Sequence, residues 1–270
     1  MNQDLNTKNP ITWCPGCFNF QILLGLKNAI SKHNKDDFAL VSGIGCHAKI
    51  FDYVNLNGMN TLHGRVLPTA LGMKMGNPNL NVLGFSGDGD AYAEGMEHLI
   101  HAARLNPNIK YFVHNNQVFA LTVGQPTPTT EIGFKDKTTP YGVKTQPLNP
   151  IKLMLAANAS FVARVYADSK QVEPIIQEAL KHKGFTFVEI IQPCLIFHPD
   201  TEMKDKFYTM EHDTSNMDEA MKKANEFDYN TPKKIPLGIF YKKERETLEE
   251  VHPLIKELLT KKTTLKDIQR

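Results

Sequence analysis

The chain has 270 residues, 41% of them hydrophobic, which suits one large or two small globular domains. Its 31 basic and 29 acidic residues balance to a formal net charge of +2, so we expect neither a nucleic-acid partner nor a membrane surface. The polar start and the lack of any apolar run of transmembrane length predict a cytoplasmic protein.

The apolar pattern predicts helices and strands that alternate along most of the chain. Helices are predicted at 18–33, 68–75, 91–105, 150–158 and 170–182. Strands are predicted at 38–44, 81–86, 109–116, 161–166 and 185–191. This alternation implies an α/β fold with a doubly wound parallel sheet.

The predicted sheet defines the expected domain organisation. We expect residues 1–200 to form the α/β domain, and residues 201–270 to form a charged, helical C-terminal extension that packs on this domain or on a partner subunit. Residues 121–149, rich in threonine and proline, show no clear period. A loop of that length inside a domain is usually functional or poorly ordered.

Residues with ligand-binding side chains follow four of the predicted strands directly. The sequences are GIGC at 43–46, GDGD at 87–90, HNN at 114–116 and QPC at 192–194. Ligands of doubly wound sheets bind at the carboxyl ends of the strands. The sequence therefore predicts that the chemistry lies in these four loops.

Two acids, Asp88 and Asp90, stand between the glycines of a turn that would usually bind phosphate. A carboxylate there repels phosphate unless a divalent cation lies between them. Asp88 and Asn116 end consecutive predicted strands, and carboxylate and amide oxygens are ligands that suit Mg²⁺. We therefore predict a magnesium site that binds phosphate groups. A tight turn capped by Asp88, with an unrelated polar strand end, is the structural alternative.

The cysteines suggest a second site. Since we expect a cytoplasmic protein, we expect no structural disulfides in its reducing surroundings. The CPGC sequence at 14–17 is a CxxC pair, which can be a redox dithiol, half of a metal site or a coincidence. Sites with four cysteines hold Zn²⁺ or iron–sulfur clusters. Four unrelated buried cysteines are the remaining alternative.

Six motifs in this order resemble the β subunit of 2-oxoacid:ferredoxin oxidoreductases: WCPGC, SGIGC, LHGR, GDGDAYA, NNQ and GQPTPTT. The GDG…NN spacing also resembles the thiamine diphosphate (TPP) binding motif. The resemblance covers residues 13–194 and implies a TPP-binding, diphosphate-domain fold. The chain departs from the family at His47 and Ala48, where small hydroxylated residues or glycine are frequent, and at Thr127, where serine is common.

The resemblance implies three bound groups: TPP, Mg²⁺ and one [4Fe–4S] cluster. It places the cluster on Cys14, Cys17, Cys46 and Cys194. It places Mg²⁺ on Asp88, Asn116 and the backbone carbonyl of Val118. It places TPP against Ile44, Gly45, Cys46, His47, His63, Gly64, Gly89, Asp90, Ala120 and Leu121. A zinc site in the cysteines stays an alternative.

The implied reaction is oxidative decarboxylation, in which a 2-oxoacid and coenzyme A give acyl-CoA, CO₂ and two electrons for ferredoxin. In the family, a glutamate of a pyrimidine-binding domain activates TPP, and this chain has room for the diphosphate domain only. The resemblance therefore implies an α subunit that carries the other domain, in an (αβ)₂ assembly. A non-redox TPP decarboxylase or synthase half with structural zinc is the alternative activity.

Two further residues are predicted to be catalytic. Lys49 follows Cys46 by three residues, and its charge can pair with the distal carboxylate of 2-oxoglutarate. A solvated surface lysine explains the same residue equally well. His63, within LHGR, is expected to form a hydrogen bond to the diphosphate or to tune proton transfers, and a satisfied loop histidine is the alternative. The expected substrate is 2-oxoglutarate, and pyruvate is the alternative.

Overall fold

An eight-stranded sheet runs through the computed structural model, which describes residues 4–199, 203–230 and 234–260. The strands of the chain are β1 (Phe38–Ser42), β2 (Asn57–Asn60), β3 (Asn81–Gly87), β4 (Ile109–Asn115), β5 (Val118–Phe119), β6 (Gln125–Pro126), β7 (Phe161–Tyr166), β8 (Thr186–Ile191), β9 (Phe207–Thr209) and β10 (Ile235–Lys242). The α-helices are α1 (Asn19–Ile30), α2 (Ile50–Tyr53), α3 (Val66–Gly76), α4 (Met96–Leu105), α5 (Pro150–Ala156), α6 (Ser169–Lys181), α7 (Met217–Ala224), α8 (Leu248–Val251) and α9 (Pro253–Thr260).

The strand order of the main sheet is β2-β1-β3-β4-β8-β7-β10-β9. Strands β2 to β7 in this order are parallel, β10 runs antiparallel to β7, and β9 is parallel to β10. Strands β1, β4, β7 and β8 are buried along their whole length. Burial of both faces is typical of parallel strands covered by helices. The structure thus confirms the predicted α/β fold and its parallel sheet.

Helices cover both faces of the sheet. Neighbouring residues of each strand point to opposite sides, so each strand contributes to a core on either face. Leu40 of β1 joins the core formed with α1 and α6, whereas Val41 joins the core formed with α3, α4 and α5. Helices α1 and α6 approach closely at Gly25, where a Cβ would lie 2.8 Å from the side chain of Val172. Over the described ranges, no helix is both long and apolar enough to cross a membrane.

The predicted helix over 91–105 is divided into two parts. Residues 90–94 form a π-helical turn, and α4 begins only at Met96. Gly95 separates the two, and a Cβ there would lie 2.9 Å from the carbonyl oxygen of Asp90. Such turns are frequent at functional sites, and this one keeps Asp90 in the buried end of the strand loop.

The segment after residue 200 differs from the prediction, which expected helices alone. It contributes β9 and β10 to the main sheet as well as α7, α8 and α9. The strand pattern of β10 is obscured in the sequence by Pro236 and Gly238, which usually interrupt strands. The division of the chain into domains at residue 200 stays a prediction, and residues 261–270 of the expected extension lie outside the described residues.

Candidate functional site

The loops that follow β1, β3, β4 and β8 meet at one edge of the sheet. These four strands are parallel neighbours in that order, so their carboxyl ends lie side by side. Two adjoining pockets open there, with about 480 and 520 Å³ of empty space including the solvent at their mouths. We call the first the cleft and the second the cysteine pocket. Both are lined by Cys46, Asn116, Ala120 and Gln192.

The cleft collects most of the residues predicted to bind TPP and Mg²⁺. Nine of the ten predicted TPP contacts line it: Ile44, Gly45, Cys46, His47, His63, Gly89, Asp90, Ala120 and Leu121. The tenth, Gly64, donates its N–H to Asp90 Oδ1 at 2.7 Å. The predicted magnesium ligands Asp88, Asn116 and Val118 line the cleft too. Gly87, His114 and Gln192 of the predicted strand-end loops also line the cleft. Phe119 and Thr122 are lining residues that the sequence did not indicate.

Asp88 is a buried carboxylate at the floor of this cleft, 2% exposed. Its Oδ2 accepts hydrogen bonds from the hydroxyl groups of Thr127 (2.5 Å) and Thr129 (3.0 Å). Burial raises the pKa of Asp88 to about 6, and the two hydroxyl groups only partly oppose this. Its hydrogen-bond partners in the described part of the chain are neutral, so an oxygen-binding divalent cation would supply the missing charge. The residues therefore fit Mg²⁺.

The turn after β4 places the other two predicted ligands beside Asp88. Asn116 Oδ1 accepts the N–H of Val118 at 3.1 Å, and Asn115 Oδ1 accepts that of Gln117 at 3.2 Å. Gln117 adopts the left-handed conformation with φ 60°, which completes the tight turn. The Gln117 amide donates to the carbonyl of Thr129 at 2.9 Å. Part of the long loop predicted over 121–149 is thus fastened to this turn.

A buried charge pair lies behind the turn. Glu189 Oε2 accepts Arg164 Nε at 2.7 Å, and its Oε1 accepts Asn115 Nδ2 at 2.7 Å and the Tyr229 hydroxyl at 2.6 Å. Arg164 and Glu189 are both 0% exposed, and such a pair needs hydrogen bonds to offset the loss of hydration. The network connects the C-terminal segment to the turn that carries Asn116. Its sequence signal is a pair of opposite charges within the otherwise apolar strands FVARVY and FTFVEII.

Polar atoms around Asp90 face the cleft without hydrogen-bond partners in the described structure. They are His47 Nε2, His63 Nδ1 and Asp90 Oδ2. His47 Nε2 lies 3.5 Å from Asp90 Oδ2, and His63 Nδ1 lies 3.7 Å from Asp90 Oδ1, so both contacts are longer than hydrogen bonds. Burial raises the pKa of Asp90, but His47, the Gly64 N–H and Ser86 together bring this pKa below its ordinary value. An imidazole N–H can donate to a diphosphate, whereas the carboxylate of Asp90 only accepts hydrogen bonds and suits a donor.

Two glycines are required by the shape of the cleft. A Cβ on Gly89 would lie 2.1 Å from the ring of Phe119, which forms one wall. Gly64 has φ +72°, and a Cβ there would overlap the backbone of Glu94. Neither position can hold a side chain without displacing its neighbours. The glycines of GDG and LHGR therefore maintain the wall as well as the turns.

All four cysteines, as free thiols, line the cysteine pocket: Cys14, Cys17, Cys46 and Cys194. Gly16 has φ +76° and follows Pro15, the combination that a type II turn requires. This turn directs Cys14 and Cys17 towards one pocket. The Trp13 indole N–H donates to the Cys46 carbonyl at 2.7 Å and fastens the CPGC turn to the loop after β1.

The thiol set fits an iron–sulfur cluster. Burial raises the pKa of Cys17 and raises that of Cys46 to about 11, so ligation must displace protons. The backbone N–H of Phe197 donates to Cys194 Sγ at 3.4 Å, a contact that favours an electron-rich sulfur. Zinc needs four thiols at about 2.3 Å from one ion. Among the described residues, no group of three His, Cys, Asp or Glu side chains is arranged to hold a single metal ion, and the donor set of four thiols suits zinc as well as a cluster.

The two predicted catalytic residues occupy different pockets. His63 lines the cleft, with its side chain 32% exposed. Lys49 lines the cysteine pocket instead, where its Nζ donates to the carbonyl of Thr12 at 3.2 Å. The Lys49 charge lowers the pKa of Cys46, against the larger effect of burial. Lys49 thus lines the same pocket as the shared wall, the name that we give to the residues lining both pockets: Cys46, Asn116, Ala120 and Gln192.

Asn19 is the clearest residue that the sequence did not indicate, and His114 was placed in the predicted HNN loop but was given no role. His114 lies within β4 and lines the cleft, and Asn19 begins α1 and lines the cysteine pocket. Burial, aided by His47, holds the pKa of His114 well below its ordinary value. The sequence signal was a polar residue in each of two apolar elements, which alone does not distinguish a site from a satisfied core position.

Comparisons with known proteins agree with this geometry. The family model "Thiamine pyrophosphate enzyme, C-terminal TPP binding domain" matches residues 43–190, more than half of the chain. A second family model, which describes the C-terminal part of the beta subunit of pyruvate ferredoxin oxidoreductase, matches residues 203–257. The fold and the cleft are thus those of a TPP-binding enzyme subunit, which supports thiamine diphosphate as the cofactor.

Similar proteins identify the class of enzyme subunit more closely. The chain is 40% identical to the 2-oxoacid:ferredoxin oxidoreductase subunit beta of Saccharolobus solfataricus, over 86% of this chain and 82% of the relative. It is 43% identical to the 2-oxoglutarate synthase subunit KorB of Archaeoglobus fulgidus, over 68% and 70%. A solved 2-oxoglutarate:ferredoxin oxidoreductase from Magnetococcus marinus, with 2-oxoglutarate, coenzyme A and succinyl-CoA bound, superimposes with a TM-score of 0.89 at 33% identity, covering 98% of this chain and 93% of that one.

The chain belongs to the β subunits of the 2-oxoacid:ferredoxin oxidoreductases. It is therefore part of an oxidoreductase that works with a partner subunit, and the name of the β subunit implies an α subunit.

Proposed function

We propose that this chain and an α subunit, in an (αβ)₂ assembly, oxidise 2-oxoglutarate and coenzyme A to succinyl-CoA and CO₂, with ferredoxin as the electron acceptor. One observation carries the proposal: a pocket lined by four thiols adjoins the TPP cleft and shares Cys46 with it. The names of the Archaeoglobus relative and of the Magnetococcus structure support 2-oxoglutarate as the substrate.

In this proposal the cleft residues hold and orient the cofactor. Asp88, Asn116 and the Val118 carbonyl would hold Mg²⁺, which in turn binds the diphosphate. His63, His47 and the residues around Asp90 would supply polar contacts to the same group. When bound, TPP supplies the carbanion and electron-sink chemistry of decarboxylation. The close approach of Gly89 to the Phe119 ring limits the space within the cleft.

In this proposal the cysteine pocket holds the group that accepts the electrons. Oxidation of 2-oxoglutarate and coenzyme A to succinyl-CoA and CO₂ releases two electrons and one proton. A [4Fe–4S] cluster on the four cysteines would accept these electrons one at a time and pass them to ferredoxin. Because Cys46 lines both pockets, cluster and cofactor would be close neighbours. Electron transfer from the cofactor to the cluster requires the two groups to be close. A redox function therefore explains why the pockets adjoin, whereas a structural zinc site does not.

Lys49 is proposed to read the distal carboxylate of 2-oxoglutarate. Its ammonium group contacts a neutral backbone carbonyl, and within the described residues it forms no ion pair with an acidic side chain. A substrate carboxylate would thus find a positive charge beside the shared wall. Pyruvate has no second carboxylate, so the same residue would not help to bind it.

The test is the holoenzyme produced anaerobically with its α subunit. We expect one [4Fe–4S] cluster and one TPP per β subunit, and ferredoxin reduction that needs both coenzyme A and 2-oxoglutarate. Iron, sulfide and zinc analysis decides the cluster, and pyruvate is the control substrate. Stoichiometric zinc without iron would contradict the redox function. A preference for pyruvate would contradict the substrate while leaving the family assignment intact.

A further inference from the structure

Asn19 is a buried amide that lies between the two pockets. It is the first residue of α1, is 0% exposed and lines the cysteine pocket. Its Oδ1 lies 2.8 Å from Nδ1 of His114, which lines the cleft. Its Nδ2 is buried and has no hydrogen-bond partner in the described part of the protein. Buried amide donors are almost always paired, so this one indicates an acceptor in the adjacent pocket.

The neighbouring atom of interest is the sulfur of Cys17, two residues before Asn19. Both the backbone N–H and the side chain of Asn19 lie close enough to favour the thiolate of Cys17, although burial raises the pKa of this thiol by a larger amount. The side-chain amide does not reach hydrogen-bond geometry with the protonated thiol. A sulfur that ligates iron is a better acceptor than a thiol, because it carries negative charge.

The orientation of the Asn19 amide follows from its two neighbours. If its oxygen faced Cys17, two electron-rich atoms would oppose each other. The NH₂ group therefore faces the sulfur, and the oxygen faces His114. This arrangement requires the proton of the neutral imidazole on Nδ1 and leaves Nε2 as a bare acceptor at the cleft. His114 thus holds the amide in the orientation that serves the cluster.

We propose that Asn19 is a positioning residue for the cluster: its amide donates an N–H to the Cys17 sulfur and raises the reduction potential, while His114 fixes the amide. The inference rests on the proposed function, because it requires the cluster. A hydrogen bond to a ligand sulfur stabilises the more negative, reduced form. The result is a cluster that accepts electrons more readily from the cofactor next to it.

The test is a potentiometric titration of the αβ holoenzyme, followed by the electron paramagnetic resonance signal of the reduced cluster. Asn19→Leu keeps the size of the side chain and removes the donor. We expect full iron content and a more negative potential, where 59 mV corresponds to a tenfold change for one electron. Asn28→Leu, an exposed substitution in the same helix, is the matched control and leaves the potential unchanged.

His114→Phe is the second variant, and it keeps Asn19 but frees its amide to rotate. We expect the reduction potential to shift in the same direction by a smaller amount. If Asn19→Leu fails to assemble, this shift alone shows whether the oriented amide raises the potential. An unchanged potential in both variants with intact clusters would overturn this inference and leave the proposed function standing. Absence of iron in the wild-type holoenzyme would instead overturn the proposed function.

Discussion

At Asp88 a carboxylate is buried among hydroxyl groups, and its place in a glycine turn, with Asn116 at the end of the next predicted strand, carried the prediction of a metal site. Thr127 and Thr129 orient one of its oxygens, and the turn at Asn116 brings an amide oxygen to the same cleft. Thr127 stands where the family often has serine, and its hydroxyl makes the contact that a serine hydroxyl can make. Threonine at this position therefore preserves the hydrogen bond to Asp88.

We expect Asp88→Ala to weaken the binding of TPP in the presence of Mg²⁺ by at least about 100-fold, because a direct ligand is lost. Isothermal titration of the αβ complex with TPP and Mg²⁺ measures this, and iron analysis shows whether the cluster remains. Asp36→Ala removes an exposed carboxylate at the other end of β1 and serves as the control. Wild-type affinity in Asp88→Ala would remove this residue from the metal site.

Single residues were predictable where an unusual residue type stood at a strand end. Asp88, Asn116, Cys46 and Cys194 belong to this group, since a parallel sheet brings the carboxyl ends of its strands together. Cys14 and Cys17 precede α1, and they were assigned through the resemblance to the family. The roles of His114 and Asn19 were not predicted, because each lies within an element that contributes many residues to the core. Only the three-dimensional structure shows that each faces a pocket.

At the scale of elements, α6 ends at a buried histidine on the edge of the sheet opposite the site. His182 Nε2 lies 2.9 Å from the Ser160 hydroxyl, and its carbonyl accepts Lys110 Nζ at 2.5 Å. Burial, followed by the charge of Lys110, lowers the pKa of His182 to about 4. Protonation of His182 therefore opposes folding in acid.

The sign and size of this effect follow from the pKa shift. The folded pKa is below the unfolded value of about 6.5, so the stability contributed by His182 is complete above pH 6.5 and is lost as the pH falls to 4. The shift corresponds to roughly 3 kcal/mol. We expect His182→Gln to make the free energy of unfolding less dependent on pH by about that amount.

Chemical denaturation of the protein at pH 7 and pH 4 measures this difference. His101→Gln, an exposed histidine on α4, is the control and should keep the wild-type pH dependence. Equal pH dependence in His182→Gln and wild type would show that His182 is not held neutral by the fold.

Elements were predicted well where burial gave continuous apolar runs, and poorly where glycine or proline interrupted them. Strands β1, β3, β4, β7 and β8 belong to the first group. β10 belongs to the second, because Pro236 pairs with the short β9 and Gly238 begins the irregular pairing with β7. The sequence shows that proline and glycine interrupt the strand pattern. It does not show the neighbouring strands, distant in the chain, whose pairing stabilises β10.

At the scale of the whole molecule, exposed apolar side chains border the cleft. Ile44, Leu62, Leu121 and Val123 are between 41% and 75% exposed beside or near the cleft. Contiguous exposed apolar side chains commonly mark protein–protein contacts, and the family implies an α subunit. We therefore propose that substrate selection belongs to the assembled enzyme, and that contact between Lys49 and the distal carboxylate is the contribution of this chain.

The last prediction tests that contribution in the assembled enzyme. A charge-assisted contact with a partly desolvated carboxylate contributes about 1.5–3 kcal/mol, or about 10- to 150-fold in transition-state binding. We expect Lys49→Ile to lower kcat/KM for 2-oxoglutarate by this factor, and to change kcat/KM for pyruvate and 2-oxobutyrate far less, because neither has a second carboxylate. Lys170→Ile, which removes an exposed charge from α6, controls for the loss of net charge. Equal losses on all three acids would show that Lys49 supports the shared wall between the pockets rather than reading the substrate.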